Sequence, residues 1–221
     1  MFFPRVWPLA LLLLACLQLT ACNSLPYAER AITPIRVADS VHERWQQSHR
    51  NFIGFPTPQA FSVCHDLSCH SVSDLSLNHT EWGQVEQLFS VQANDAEKER
   101  EQIQQAIALL EQIVGQKAGT AKDLAKNQLT GSRQGQLDCI DEATNTTVYL
   151  RMLESEKLLH WHQTASRTSR GILIGRAPHN TATIIDRQTA VRYAVDAWYF
   201  DNGKPPAIVT LKRWKQGWQP E

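Results

Sequence analysis

The chain has 221 residues with 22 basic and 22 acidic side chains, so its formal net charge at pH 7 is zero. This balance offers no electrostatic attraction for a polyanion, and we expect no nucleic-acid partner. About 200 residues follow position 21, enough for one domain with its own hydrophobic core.

The N-terminus has the pattern of an export signal. Arg5 precedes an apolar run over residues 9–19, which is too short for a comfortable transmembrane span. The tetrapeptide Leu-Thr-Ala-Cys ending at Cys22 resembles the lipobox of bacterial lipoproteins. This resemblance implies cleavage before Cys22, lipid on Cys22 and a periplasm-facing location in the cell envelope, and Asn23 favours the outer membrane. We therefore expect a signal peptide at residues 1–21, a tether and lead-in at residues 22–58, and a single domain at residues 59–221.

The remaining cysteines are Cys64, Cys69 and Cys139. Cys64 and Cys69 are near neighbours between two strand candidates, residues 60–63 and 72–77, and in an oxidising compartment they form the obvious disulfide. Cys139 is then left over. A leftover thiol in an exported protein is a candidate reactive group, and the alternative is a buried cysteine that packs as a small hydrophobe.

Two other readings of the same loop need metal or haem chemistry. Cys64, His65, Cys69 and His70 are all possible zinc ligands, but adjacent Cys-His pairs in so short a loop close a tetrahedron poorly. The spacing also resembles an uncommon form of the covalent c-type haem motif, without a distal ligand or haem pocket nearby. We favour the disulfide and expect neither a metal nor another cofactor.

The middle of the chain is predicted to be helical. Thr80 is an N-cap candidate ahead of an apolar helical face. The strongest helical pattern covers residues 95–114, where an apolar stripe faces a charged one, and Gly115 and Gly119 are expected to end that helix.

A third helix is predicted to begin at Asp138, which can cap it. Cys139 then lies in the first turn, where the helix dipole and free backbone N–H groups favour a thiolate. Asp138, Asp141 and Glu142 oppose that effect, and the sequence does not decide which prevails. Strand patterns follow the helix, at residues 158–163, 171–174, 179–186, 190–198 and around 208–211. The fold class is therefore α+β, with helices early and an antiparallel sheet late.

The last strands suggest a pairing of His179 with Asp196. A polar break at residues 186–189 separates two alternating runs, and a hairpin centred on Arg187 and Gln188 puts His179 directly opposite Asp196. An aspartate in that position fixes the tautomer of the histidine and stabilises its protonated form. The alternative is a surface histidine beside a surface aspartate.

The order of Cys139, His179 and Asp196 resembles the transglutaminase-like branch of the papain-like cysteine peptidases. The matching segments are Asp-Cys-Ile-Asp-Glu-Ala at residues 138–143, His-Asn-Thr-Ala at residues 179–182 and Ala-Val-Asp-Ala-Trp at residues 194–198. The bacterial transglutaminase-like cysteine peptidases are especially similar, although Leu137 stands where their nucleophile segment has glycine. The whole chain also resembles a family of exported bacterial lipoproteins without an assigned activity.

This resemblance implies a fold with helices packed on an antiparallel sheet and the nucleophile at a helix N-terminus. It implies that Cys139 attacks an acyl carbon, His179 holds the proton and Asp196 orients His179. Backbone N–H groups at the helix start, with Gln134 or Gln136, would stabilise the oxyanion. The acyl group would pass to water in a peptidase or amidase, or to an amine in a transglutaminase. We prefer hydrolysis, with an envelope protein or peptide as the substrate.

The competing hypothesis is a binding or assembly lipoprotein that uses the same cleft without chemistry. Three tryptophans bear on either reading, because they could line a groove beside Asp196 or simply cover the sheet and fill the core. They are Trp198, Trp214 and Trp218.

Overall fold

The structure is a computed structural model, and it describes residues 52–127, 134–171 and 178–221. The predicted signal peptide, the lipidation site Cys22 and the tether as far as residue 51 lie outside these ranges, as do residues 172–174 of one predicted strand. The described residues all belong to one compact unit. No helix in this part of the chain combines the length and apolar character that crossing a membrane requires.

The chain forms a small hairpin, three longer helices and a four-stranded sheet. β1 and β2 pair in an antiparallel hairpin, and β3 to β6 form an antiparallel sheet in chain order. The predicted α+β class is therefore confirmed. The elements are β1 (Phe61–His65), β2 (Ser71–Leu75), α1 (His79–Gln87), α2 (Ala96–Ala118), α3 (Cys139–Ser155), β3 (His162–Arg170), β4 (His179–Asp186), β5 (Arg192–Asp196), β6 (Ala207–Thr210) and α4 (Leu211–Lys215).

Helix α3 is the centre of the fold. It packs against β4, β3 and β1, and α2 also contacts it. Every residue from Asp141 to Leu153 except Arg151 is buried. Because α3 is enclosed on nearly all sides, its first residue, Cys139, is held in a defined position relative to the sheet.

The helix ends differ from the sequence-based expectation in two places. The N-cap of α1 is Asn78 rather than Thr80, because Asn78 and Glu81 form a reciprocal capping box. Helix α2 begins after Asp95 as predicted but passes through Gly115. It ends at Gly119, which has the left-handed φ of 77° typical of a C-cap.

Gly115 has a packing role instead. A Cβ at this position would lie 3.0 Å from the Cα of Ala121 and 3.0 Å from the side-chain nitrogen of Asn202. The segments that contain Ala121 and Asn202 approach the helix closely here, so Gly115 is required by tertiary packing and does not end the helix.

The first strand of the large sheet was predicted wrongly, at residues 158–163. The observed β3 runs over His162–Arg170, and its sequence is polar for most of that length. It is an edge strand, so only part of it needs apolar side chains. Residues 158–161 instead form the connection from α3, where Glu99 accepts backbone hydrogen bonds from His160 and Trp161.

The register between β4 and β5 also differs from the prediction. The predicted hairpin places Ala182 opposite Tyr193, whereas the structure pairs Ala182 with Val195. The directly opposed pairing of His179 with Asp196 is therefore wrong by two residues. Because side chains alternate along a strand with a period of two, this shift leaves both on one face of the sheet, as diagonal neighbours.

Candidate active site

Cys139 is the first residue of α3, and a capping box fixes it there. As predicted, Asp138 is the N-cap, and its Oδ1 accepts hydrogen bonds from the N–H groups of Ile140 and Asp141 at 2.9 and 3.0 Å. The N–H of Asp138 donates to Asp141 Oδ2 at 3.2 Å, and Glu142 begins the helical hydrogen bonding. Within the described residues, the Cys139 N–H is the one donor of this first turn left without a hydrogen bond.

The loop closed by Cys64 and Cys69 docks onto this helix start. The two sulfurs lie at bonding distance, with Cα atoms 4.6 Å apart, as expected for the predicted disulfide. Ser68 donates from its N–H and its hydroxyl to Asp138 Oδ2, both at 2.8 Å. The Cys69 N–H donates to Asp141 Oδ1 at 2.5 Å. The carboxylates that cap the nucleophile's helix are thus also bound from outside by the loop.

Further contacts anchor the rest of this loop. Asp66 Oδ1 accepts from the N–H of Gly135 at 2.8 Å, and the side chain of Asn145 bonds both backbone groups of Cys64, at 2.7 and 2.8 Å. Residues 66–69 all have φ between 52° and 66°, a conformation that non-glycine residues rarely adopt. The disulfide and these hydrogen bonds hold four consecutive residues in that state, so the loop acts as a brace for α3.

The four possible zinc ligands of the loop do not converge. Cys64 and Cys69 approach Asp141, but the two sulfurs are at bonding distance from each other. The ring nitrogens of His65 contact a neighbouring hydroxyl and a neighbouring carboxylate, and His70 is exposed.

His179 and Asp196 form a buried hydrogen-bonded pair. His179 Nε2 donates to Asp196 Oδ2 at 2.7 Å, and 9% and 1% of the two side chains are exposed. The indole Nε1 of Trp214 donates to the same oxygen at 2.6 Å. Trp198 and Tyr199 pack against the imidazole with ring centroids at 4.6 and 5.3 Å. Two donors and an aromatic enclosure therefore fix the carboxylate and the imidazole.

The three tryptophans have different roles. Trp214 comes from α4, a helix that the sequence analysis missed, and its side chain is fully buried beside Asp196. Trp198 is half-buried over His179, and Trp218 contacts Tyr199 edge-on at 5.9 Å. Trp198 and Trp214 contact the imidazole of His179, and Trp218 packs on Tyr199. These three tryptophans and Tyr199 are the aromatic wall of the site.

His179 is protonated at neutral pH. Burial is the largest single influence on its pKa and lowers it, but the hydrogen bond and charge of Asp196 together with the neighbouring Cys139 sulfur outweigh burial and bring the pKa to about 9 from an ordinary 6.5. The Nδ1 atom is buried, and no nitrogen or oxygen atom of the described residues forms a hydrogen bond with it. Since Asp196 holds Nε2, Nδ1 is the ring nitrogen available for proton exchange with a reacting group.

Cys139, the first residue of α3, is half-buried and lies beside the beginning of β4. It is a free thiol whose Sγ lies 3.6 Å from the side-chain Nδ2 of Asn180 and 3.9 Å from the carbonyl oxygen of Pro178. The structure thus brings together the three residues of the predicted triad, Cys139, His179 and Asp196. It adds Asn180, which the sequence analysis missed because strand alternation points it away from the face of His179.

Neither of the two glutamines considered as oxyanion donors forms a hydrogen bond with Cys139 in the described part of the chain. The Gln136 side chain bonds the carbonyl oxygen of Lys122 at 3.3 Å and the amide of Asn127. Gln134 is exposed in the connection before α3.

Several buried acidic residues on and around α3 have raised pKa values. Burial raises the pKa of Glu142 well above its usual range, and Glu111 and Asp123 add to that effect. Burial likewise raises the pKa of Glu111 to about 8 and that of Asp141 to about 7. The raised pKa values of Glu142 and Asp141 reduce the opposition to a Cys139 thiolate that was expected from these two acids.

The site contains a free thiol, a protonated imidazole beside it and a carboxylate that orients the imidazole. This arrangement is typical of covalent acyl-transfer chemistry. The resemblance to the transglutaminase-like cysteine peptidases stays a prediction. Comparisons of the chain with protein-family models, with curated proteins and with solved structures find no match.

Proposed function

We propose that this protein is an exported thiol hydrolase, a cysteine peptidase or amidase with a transglutaminase-like fold that acts on a protein or peptide of the bacterial cell envelope. The observation that carries the proposal is the buried 2.7 Å hydrogen bond between His179 and Asp196, with the free Cys139 thiol close enough to the same imidazole to raise its pKa. A surface histidine next to a surface aspartate would be solvated, and this pair is not.

The chemistry follows from the charge state of His179. The Cys139 thiolate attacks the acyl carbon, so a C–S bond forms and the carbonyl π electrons move to oxygen. When the carbonyl re-forms, the C–N bond breaks and Nδ1 of His179 gives its proton to the departing amine. Water then attacks the thioester while His179 takes its proton, and cleavage of the C–S bond returns the thiolate.

Asp196 and the aromatic wall support the proton transfers. The carboxylate holds the imidazole in one orientation and favours its protonated form. Trp214 and the other aromatic rings exclude water from this hydrogen bond, which strengthens it in the low local dielectric.

Export and anchoring belong to the same proposal. Lipid on Cys22 would tether the domain to a membrane facing the periplasm, with Asn23 favouring the outer membrane. The Cys64–Cys69 pair supports this location, because disulfides persist in oxidising compartments.

The experiment is acylation by p-nitrophenyl acetate, followed by the mass of the Cys139 peptide. We expect a burst of nitrophenolate, a transient acetyl group on Cys139 and its hydrolysis, with all three suppressed in Cys139→Ala and slowed in His179→Ala. His160→Ala is the matched control, because His160 is an exposed histidine and should change nothing.

One kind of result would contradict the proposed catalysis, and another would change the acceptor of the acyl group from water to an amine. Equal acetylation in the wild-type protein and in His179→Ala, or none on Cys139, would contradict catalysis and favour the binding lipoprotein. Faster loss of the acetyl group when methylamine is added would identify transfer to amines in place of hydrolysis.

A further inference from the structure

We infer that the side-chain amide of Asn180 is a catalytic hydrogen-bond donor that forms the oxyanion hole together with the backbone N–H of Cys139. The inference rests on the proposed acyl-transfer function and assigns a residue that the triad does not include. The observation behind it is the 3.6 Å distance from Asn180 Nδ2 to Cys139 Sγ.

The position of the oxyanion is restricted by the covalent chemistry. The oxygen that becomes negative is attached to the carbon that bonds to Sγ, so its donors must lie close to the sulfur. The capping box uses the N–H groups of Ile140 and Asp141, and Glu142 donates to the carbonyl oxygen of Asp138. The N–H of Cys139 is therefore the backbone donor that the first turn leaves for substrate.

A second donor is needed, and Asn180 is placed to supply it. The residue lies in β4 directly after His179, where its backbone pairs with Ser169 of β3. Its side chain is half-buried, so it reaches the thiol without being sealed from a substrate. A strand held by its neighbour keeps the amide in place better than a loop would.

The amide suits both stages of the reaction. In the resting protein Nδ2 donates to the sulfur. Once the sulfur has used its electron pair to bond carbon, that donor is free to turn to the new negative oxygen. The amide carries no charge and does not titrate, so it leaves the protonation of His179 unaffected.

The other groups near the sulfur do not fit this role. The Pro178 oxygen 3.9 Å from Sγ is an acceptor and would repel an oxyanion. The Gln136 side chain is occupied by Lys122 and Asn127.

The test compares two reactions of the same thiol in the full-length protein. Alkylation of Cys139 by iodoacetamide is a displacement at saturated carbon and forms no oxyanion, whereas acylation by p-nitrophenyl acetate passes through one. For Asn180→Ala we expect an alkylation rate no more than about tenfold below wild type, because the thiolate loses one donor, and an acylation rate lower by about 100-fold. Asn180→Leu, which keeps a similar volume without donors, should behave in the same way. Gln134→Ala is the control for the rival donor and should leave both rates unchanged.

The possible outcomes separate this inference from the proposed function. If both Asn180 variants lose the two reactions equally, Asn180 only positions the thiol and the inference is wrong. If neither reaction slows, Asn180 is not a donor. A wild-type protein that is never acylated on Cys139 would overturn the proposed function, and this inference with it.

Discussion

Replacing Asp196 with asparagine should remove the imidazolium at His179 while leaving the site assembled. Asp196 Oδ2 accepts hydrogen bonds from both His179 and Trp214, at 2.7 and 2.6 Å. The amide oxygen of an asparagine has two lone pairs and can accept both of them. The substitution therefore changes the charge of the partner more than the shape of the pocket.

The size of the effect follows from the pKa of His179, which is about 9 against an ordinary 6.5. That rise corresponds to about 3 kcal/mol in favour of the imidazolium. Without the carboxylate charge, burial lowers the pKa and the Cys139 sulfur raises it by a smaller or similar amount, so His179 in the variant should titrate near or below 6.5. At pH 8 the variant would then hold a neutral imidazole, unable to protonate a departing amine.

The assay is an NMR titration of the His179 ring protons in the wild-type protein and in Asp196→Asn. We expect midpoints near pH 9 and at or below pH 6.5. Because the folded-state pKa is raised, the associated stability is present in full below pH 6.5 and is lost as the pH rises through 9. Asp196→Asn should therefore lower the thermal midpoint more at pH 6 than at pH 10. A His179 midpoint that moves by less than one pH unit would refute this reasoning.

Three further predictions concern the surroundings of the site. Trp214→Phe removes the indole donor but keeps an aromatic ring, and it should cost about 1–3 kcal/mol in urea unfolding; an unchanged unfolding midpoint would show that the bond contributes nothing. Joint replacement of Cys64 and Cys69 by serine should cost about 2 kcal/mol for so short a closed loop. It should also slow alkylation of the nucleophile, whereas loss of stability with full thiol reactivity would argue against the loop as a brace. Glu111 has a pKa of about 8 against 4.5, so its stabilising contribution is present below pH 4.5 and lost as the pH rises through 8. Glu111→Gln should therefore raise the thermal midpoint at pH 8.5 and change it little at pH 4, and equal midpoints for both proteins at pH 8.5 would contradict the shift.

Local chemistry made the nucleophile's helix predictable. An aspartate followed three residues later by another acid is a strong helix-start pattern, and Asp138 and Asp141 do form the capping box. The common face of His179 and Asp196 was also predictable, because side chains alternate along a strand and a register error of two residues leaves them on the same face. The exact register between β4 and β5 was not predictable from the sequence, because it depends on the structure of the turn that joins the two strands. Asp186 accepts two backbone N–H bonds there and moves the centre of the hairpin along the chain.

The features that were missed depend on contacts distant in sequence. The strand β3 can be polar because it lies at a sheet edge, and no local sequence pattern reveals an edge position. Trp214 reaches Asp196 from a short helix with no distinctive periodicity. Asn180 approaches the sulfur because α3 begins beside β4, and that arrangement exists only once the helix and sheet have packed.

The proposed chemistry requires an ion pair between the Cys139 thiolate and the His179 imidazolium, and the rate of Cys139 alkylation against pH measures that ion pair most directly. The rate should stay high well below pH 8 in the wild-type protein and fall sharply at pH 6 in His179→Ala. A thiol whose rate climbs only above pH 8, with the same profile in both proteins, would contradict the ion pair and leave a lipoprotein that binds without catalysis.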